Sequence, residues 1–457
     1  MQGETRWSAV RRLLAMSRHV LLRALAAAFV MGDPSVDAIS TRLARTVGKP
    51  GRWLRPLAGR YLRTFVGRTR PRQSEIIQFL FQDRGFQRAW RKYSSELSVA
   101  ERLNEPQRMQ PARAAATWEV PAIESLGDLA EWLAIEVGDL LWFADLKGLG
   151  YRLKCPQLRH DHYRVLAKPS GGIRLIEAPK HRLKDVQRQI LARILHSIPP
   201  HPAAQGFLKG RSIRTFVAPH VGKRVVLRMD LEDFFPSFAA ARIQSFFRVL
   251  GYPEAVADLL GGLCTNATPG DVWKDLAEPI DSGLIREARS LHARPHLPQG
   301  APTSPALANL CAHRLDCRLA GLAKSAAGSY TRYADDLAFS GDQVFDRSVE
   351  RFSSQVAAIL LEEGFRLNHR KRRIMRQGVR QHLAGLVANQ CLSVARPEFD
   401  RLKAMLTNCA RNGPDSQNRQ GHPQFRSHLK GRVAFFEMIS PAKGKRLRQI
   451  YEQIDWQ

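Results

Sequence analysis

Two adjacent aspartates, Asp335 and Asp336, sit in the middle of Y-T-R-Y-A-D-D-L-A-F-S-G (330–341), a segment that otherwise reads as strand, turn, strand. Aspartate is poor in strands, and like charges side by side repel. Taken alone the pair reads as a solvated turn. Upstream, the hydrophobic run Val225 to Met229 ends in another carboxylate, Asp230. Folding the 331–339 hairpin beside that strand brings Asp230 to Asp335 and Asp336.

Three gathered carboxylates repel, and burial raises the cost. Divalent cations relieve both. Mg²⁺ prefers oxygen ligands and keeps positions open for phosphate. Two such ions about 4 Å apart can activate a 3′ or 2′ hydroxyl and stabilise a leaving pyrophosphate.

Charge points to the partner. The 457 residues carry 71 Lys plus Arg against 42 Asp plus Glu, a formal net of +29. Such an excess repels itself unless a polyanion is near. Nucleic acid is the leading partner, an anionic membrane surface the runner-up, and an Arg-rich coding bias the bland alternative. The six cysteines show no C-x-x-C and no zinc spacing, which suits free thiols in a reducing cytoplasm. The apolar run Val20 to Met31 is short and broken by Arg23, so neither a membrane span nor a signal peptide is expected.

Three regions stand out along the chain. Residues 1–120 form a basic, mostly helical extension, in which Lys49 and Lys92 are the only lysines among many arginines. The segment Glu105 to Ala116 reads as its linker. Residues 121–160 hold two short amphipathic helices around Gly138, with Leu129, Leu133, Leu140, Leu141 and Trp142 as apolar positions. A helix-turn-helix is the sharper reading, and a pair packing on the next domain the plainer one. From residue 161 the pattern turns mixed. Tyr163 to Ala167 and Ile173 to Ile176 flank Ser170-Gly171-Gly172 as a hairpin. Helices follow over Leu183 to Leu195 and Pro305 to Lys324, the latter capped by Thr303 or Ser304.

In this frame the chain resembles a bacterial retron-type reverse transcriptase, from Tyr163 to about Lys445. The carrying motifs are Lys168-Pro-Ser-Gly-Gly-Ile-Arg174, Gly206-Phe-Leu-Lys-Gly-Arg-Ser212, Met229-Asp-Leu-Glu-Asp-Phe-Phe-Pro-Ser237, Leu297-Pro-Gln-Gly-Ala-Pro-Thr-Ser-Pro305, Tyr333-Ala-Asp-Asp336, Gly364-Phe-Arg-Leu-Asn-His-Arg-Lys371 and His382-Leu-Ala-Gly-Leu-Val-Ala-Asn389. Pro441-Ala-Lys-Gly444 resembles retron thumb sequence.

The resemblance implies an α+β right-hand polymerase fold, with fingers and palm over 161–390 and a thumb over 391–457. It implies RNA-directed DNA synthesis with two Mg²⁺, for which Mn²⁺ can substitute. The metal set is Asp230, Leu231, Asp335 and Asp336, with Asp336 nearer the primer end. Phe235 matches the steric gate that rejects a 2′-OH, with Phe234 the alternative. Lys168 and Arg174 match triphosphate contacts. Gln299 and Gly300 match the loop lining the nucleotide pocket. Asp233 matches a position near the incoming nucleotide, or else a charge at a helix N-terminus. Lys371 is the candidate for protonating pyrophosphate, or else a template-backbone contact. Arg211, Lys430, Arg432, Lys443 and Lys445 are candidate nucleic-acid contacts, joined in the thumb by Arg446 and Arg448. The implied partners are a structured non-coding RNA, its DNA product, deoxynucleotides and a defence effector protein, with antiphage defence as the setting.

Two elements depart from the family. Retron enzymes usually carry V-T-G where Leu383-Ala384-Gly385 stands. They carry N-A-x-x-H before the Pro-Gln-Gly motif, whereas Asn266-Ala267 is followed by Thr268-Pro269-Gly270. Both elements are linked in the family to recognising the cognate RNA, so standard priming from an internal 2′-OH is the part of the resemblance they weaken. The basic arm 1–120 is a candidate for substitute RNA contacts. Another bacterial lineage (group II intron-like or abortive-infection type) is the nearest alternative, and a non-catalytic RNA-binding protein on the same fold the more distant one.

Overall fold

Strand β3, Val225–Glu232, is buried along most of its length and sits inside a five-stranded sheet in the computed structural model. Its near-continuous run of Val, Leu and Met is what a strand covered on both faces requires. The structure describes residues 18–65, 71–105, 107–152, 155–168, 171–274 and 280–456. The chain divides into two compact units, each discontinuous in sequence. One comprises Met1–Ile198 with Phe238–Ser304, the other Pro199–Ser237 with Pro305–Gln457.

The first unit is mainly helical. Helices over 18–30, Val36–Val47, Leu54–Phe65, Gln73–Gln82 and Arg84–Tyr93 share one apolar core. In Val36–Val47 the buried Ile39, Leu43 and Val47 recur every four residues, while Ser35 caps the Ala38 amide at 3.2 Å and Gly48 ends the helix at φ 74°. That apolar spacing buries one face and leaves Arg45 outside, while Arg42 is buried and donates to the Ala28 and Asp33 carbonyls.

The expected linker is a strap. The amides of Gln110 and Ala112 donate to the carbonyls of Gly251 and Val249, and Met109 donates to Glu124. Gly251 has φ 98°, and a Cβ there would lie 2.4 Å from the Pro111 nitrogen, so only glycine lets the strap lie down.

The helix pair is Leu126–Leu133 and Val137–Ala144, opened by a Ser125–Asp128 capping box. The break falls at Ala134, which takes φ 54°, and Gly138 lies inside the second helix. Leu141 is 51 % exposed and faces away from the apolar side. The pair packs on the helix Glu254–Leu263, as the plainer reading expected.

Hairpin β1 (Asp161–Ala167) and β2 (Ile173–Pro179) pairs Ala167 with Ile173. Pro169 and Ser170, part of the first cationic motif, lie outside the described residues, as do residues 1–17 of the arm. The helix expected from Leu183 runs His181–Arg193, then tightens into a 3₁₀ turn ahead of Pro199.

In the second unit β4 (Gly328–Tyr333) and β5 (Asp336–Gly341) form the central hairpin, and β5 pairs with β3. Short strands β6 (Arg366–Leu367) and β7 (Arg373–Arg376) flank the other edge of β3. The helix expected over Pro305 to Lys324 is two helices, Ser304–Cys311 and His313–Ser325. The break at Ala312 falls between Asn309 and Asp316, two buried side chains that both grip Arg332. Helices Arg396–Asn412, Phe425–Ile439 and Pro441–Glu452 close the unit around Leu402, Leu406, Leu429, Val433 and Leu447.

Candidate active site

The hairpin register places the acids. Asp230 and Asp336 are directly opposed across β3 and β5, and the Leu231 amide donates to the Asp335 carbonyl at 2.9 Å. The turn between β4 and β5 is only Ala334 and Asp335, with Ala334 at φ 54°. An L-residue pays for that conformation in sterics, and the turn is held from behind.

What holds it is a buried arginine. Arg332 donates to both Asp316 oxygens at 2.8 and 2.7 Å, to Asn309 Oδ1 at 3.0 Å and to the Ala334 carbonyl at 3.2 Å. Both side chains of the Arg332–Asp316 pair are 0 % exposed. Tyr330 adds a hydroxyl donation to Asp316 at 2.8 Å. On the other side of β4, neutral His220 bridges the hydroxyls of Ser340 and Thr331 at 2.7 Å each, and burial pushes its pKa down to about 3.

The acids themselves are under electrostatic load. Burial and the neighbouring Asp230 charge raise Asp335 to about 6. Asp230 is also raised: burial outweighs the Lys371 ammonium, and Asp336 adds repulsion. Two cations partly relieve the cluster. Lys371 Nζ lies 2.9 and 3.0 Å from the two Asp230 oxygens, and Arg228 donates twice to Asp336 Oδ1 at 2.9 and 2.7 Å. The donor set is all oxygen, strongly anionic and partly buried, which fits a hard divalent cation. Leu231 has an apolar, buried side chain, so only its main-chain carbonyl is available as a ligand.

Phe234 and Phe235 separate clearly. Phe234 is 5 % exposed, stacks on Phe365 at 6.1 Å and lies under Arg332, so it belongs to the core. Phe235 is half-buried, and Phe207 lies 6.2 Å from it. Asp233 is exposed at φ 45° and opens a turn; the next helix starts only at Ala240, so its alternative as a helix-terminal charge has no helix to serve.

Comparison with known proteins decides what this arrangement belongs to. Residues 166–386 match the family model for reverse transcriptase (RNA-dependent DNA polymerase). The retron Mx65 reverse transcriptase of Myxococcus xanthus is 40% identical over 342 residues, 73% of this chain and 72% of that protein. The retron Mx162 enzyme of the same organism is 35% identical over 77% of this chain and 70% of its own length. The retron Ec86 enzyme of Escherichia coli is 30% identical over 63% of this chain and 78% of its own. The chain belongs to the bacterial retron reverse transcriptases. It is an RNA-directed DNA polymerase with the α+β polymerase fold.

In the first unit of this retron reverse transcriptase, Lys168 and Arg174 lie at the turn end of the β1–β2 hairpin, where the Lys168 amide donates to the Gly172 carbonyl. The Gln299 carbonyl accepts from the Glu177 amide at 2.9 Å, and Gly300 (φ 138°) lies so close that a Cβ would be 2.7 Å from the Glu177 carbonyl. Of the predicted polyanion contacts, Lys430, Lys445 and Arg446 are exposed. Arg211 donates to the carbonyls of Pro202 and Ala204, Lys443 to Ser393, and Arg448 to Glu437, so these three brace the protein itself. Arg432 is half-buried beside Met405.

Both departing elements are built into tight structure. Ala384 (φ 45°) and Gly385 (φ 84°) form the two-residue turn between β8 (His382–Leu383) and β9 (Leu386–Val387). Two successive positive φ values are the mark of a type I′ hairpin. Asn389 clasps the base, accepting from the Gln381 amide and donating to Val379. Asn266 donates to Glu177 at 2.9 Å and to Tyr163 at 3.0 Å.

That Glu177 is the centre of a network the sequence hid. It accepts from His296 Nε2 at 2.9 Å and from Thr268 at 2.7 Å. His292 lies beside them, and the three could be taken for a metal site. His296 Nδ1, however, faces the Arg294 carbonyl at 2.8 Å. A carbonyl accepts only, so Nδ1 carries a proton, and with Nε2 donating to the Glu177 carboxylate the ring is a charged partner of that acid. Burial would lower the His296 pKa, but the hydrogen bond and charge of Glu177 outweigh it and the value is raised. Burial would raise Glu177, and His296 with Thr268 turns that into a lowering.

The pair therefore stabilises the fold fully only where both partners would be charged even when unfolded, between about pH 4.5 and 6.5. Above that window the histidine contribution fades as pH climbs through its raised folded pKa. Below it the glutamate contribution fades as pH falls through its lowered one. Denaturation midpoints measured from pH 4 to 9 should show this plateau, and Glu177→Gln should flatten it while costing about 3 kcal/mol. A wild-type profile that keeps rising to pH 9 would contradict the charged pair.

Proposed function

We propose that this enzyme copies a structured non-coding RNA into single-stranded DNA joined to that RNA through a 2′–5′ branch, by two-metal nucleotidyl transfer, in antiphage defence with a partner effector. The observation that carries the chemistry is the opposed pair Asp230 and Asp336 with Asp335 at their turn, where burial and mutual repulsion raise the pKa of Asp230 and Asp335 and Lys371 and Arg228 match the cluster only in part. A non-catalytic RNA-binding role leaves that costly cluster without a purpose.

Asp230, Asp335 and the Leu231 carbonyl would hold the Mg²⁺ ions, with Asp336 tethered by Arg228 beside the primer end. When bound, the metals lower the pKa of the attacking hydroxyl and neutralise charge on the phosphates. Lys371 bonds Asp230 and is placed to release it, then to give its proton to pyrophosphate. Phe235 presents its ring to the sugar, which excludes a 2′-OH. Lys168 and Arg174 supply charge-assisted hydrogen bonds to the triphosphate, and Gly300 lets the backbone beside Gln299 come close to it. Lys430 and Lys445, with Arg432 and Lys443 to a lesser extent, make salt-sensitive phosphate contacts. The basic helices of the N-terminal arm add contacts to the cognate RNA. No helix among the described residues is long and apolar enough to cross a membrane.

The test is to purify the protein, sequence its bound nucleic acid and repeat after debranching. A 2′–5′ linked RNA–DNA molecule is expected. If only unbranched products are found, the altered Leu383-Ala384-Gly385 and the missing histidine after Asn266 mark a lineage that primes differently, and the branch is withdrawn.

A further inference from the structure

Phe207 is a bulky aromatic residue held at φ 62°, a left-handed conformation, and it is 48 % exposed. Neither property stabilises a fold. Strained backbone of this kind persists where surrounding structure enforces it, and it concentrates at functional positions. The enforcement is visible. The Arg332 amide donates to the Ala203 carbonyl at 2.8 Å, and the Gln205 amide donates to the Arg332 carbonyl at 2.7 Å. Asn309 donates to the Gly206 carbonyl at 2.9 Å. A Cβ on Gly206 would meet the Ala334 nitrogen at 2.9 Å. Residues 203–206 are thus clamped along the Arg332–Ala334 edge of the catalytic hairpin. The chain then turns sharply at Phe207, whose ring comes to rest 6.2 Å from Phe235 and 6.3 Å from Tyr333.

We propose that Phe207 is the second wall of the sugar gate: its ring props the ring of Phe235 and so sets how strictly ribonucleotides are rejected. Phe235 already has Phe234 at 5.5 Å on one side, fixed in the core. Phe207 closes another side, so the gate ring sits between one buried and one exposed neighbour. An aromatic ring with a neighbour on only one side can tilt, and a tilted gate clears room for a 2′-OH. Phe207 is a positioning residue in this account. It acts through Phe235, and the proposal rests on Phe235 being the gate.

The test is primer extension on an RNA template, comparing kcat/KM for deoxynucleotide and ribonucleotide in wild type, Phe207→Ala, Phe207→Gly, Phe207→Tyr and Phe235→Ala. Phe207→Ala and Phe207→Gly should lower the selectivity ratio about three- to tenfold, the scale of one aromatic pair. Phe207→Tyr should keep the ratio. Phe207→Gly should melt no lower than wild type, because glycine adopts φ 62° freely. A purely structural ring predicts a lower melting temperature and an unchanged ratio, and that result overturns the proposal. So does a Phe207→Ala protein that melts normally but has lost deoxynucleotide incorporation. If Phe235→Ala relaxes selectivity and neither Phe207→Ala nor Phe207→Gly does, Phe207 is no wall and the gate reading survives. If Phe235→Ala itself leaves selectivity intact, the gate reading falls and this inference with it.

Discussion

Asp335→Asn is expected to end DNA synthesis and, in chelator, to make the protein harder to unfold. The two effects share one cause. Burial and the Asp230 charge raise the folded Asp335 pKa to about 6, above its unfolded value of 3.8. A carboxylate with a raised folded pKa costs stability once ionised, so its cost is absent at low pH and complete above the folded pKa. At pH 7.5 the amide removes that cost, on the order of 1–3 kcal/mol. It also removes a charged metal ligand, and synthesis should fall at least about a thousandfold. Asp335→Ala with Asp336→Ala should abolish synthesis and leave RNA bound, because neither acid supplies the positive charge that attracts a polyanion. The decisive measurement is melting with and without Mg²⁺. Wild type should gain stability from the metal and the variant should not. Residual Mg²⁺-dependent synthesis in the Asp335→Ala, Asp336→Ala protein would overturn the assignment of these acids.

Arg332→Met should be the most destabilising single change in the second unit. It leaves Asp316, 0 % exposed, as a buried charge without its partner. Removing one member of such a pair costs about 3–5 kcal/mol. The loss should be read as a drop in the urea midpoint. Arg332→Met with Asp316→Leu should recover much of that stability, since two apolar groups replace the pair without an orphaned charge. Activity should not return. Arg332 also donates to the Ala334 carbonyl and to Asn309, which in turn holds Gly206, and methionine can do neither. A double variant that regains full synthesis would show the pair to be ballast.

The catalytic acids were readable because their chemistry is local. The strand ending in Asp230 and the strand, turn and strand that carry Asp335 and Asp336 are each written in contiguous residues, and their apolar runs mark both as buried strands. The supporting residues were not readable in the same way. Arg332 stands inside the hairpin but reads as one more basic residue in a chain of net charge +29. Only its partner Asp316, on a helix read as a single amphipathic rod, shows it to be buried. Glu177 and His296 are 119 positions apart and meet through folding alone. The apolar positions centre the helix pair on Gly138, yet the chain turns at Ala134, which takes the left-handed conformation more usual for glycine. The polyanion contacts were legible only as charge: a lysine or arginine in sequence does not announce that it already has a partner within the protein, as Arg211, Lys443 and Arg448 do.

The strap over Gly251 changes where this protein can be cut. A truncation at residue 120, the seam that composition suggests, would strip the backbone partners of Val249 and Gly251 and the Glu124 contact to Met109. It would also remove Arg72, which lies 3.8 Å from Glu254 and 3.5 Å from Asp258, and leave those two acids facing one another. A shortened enzyme made that way would fail for reasons unrelated to RNA. The informative boundary lies just before Gln107, with Glu254 and Asp258 neutralised in the same design. Only there does a lost affinity report on the arm rather than on a wound.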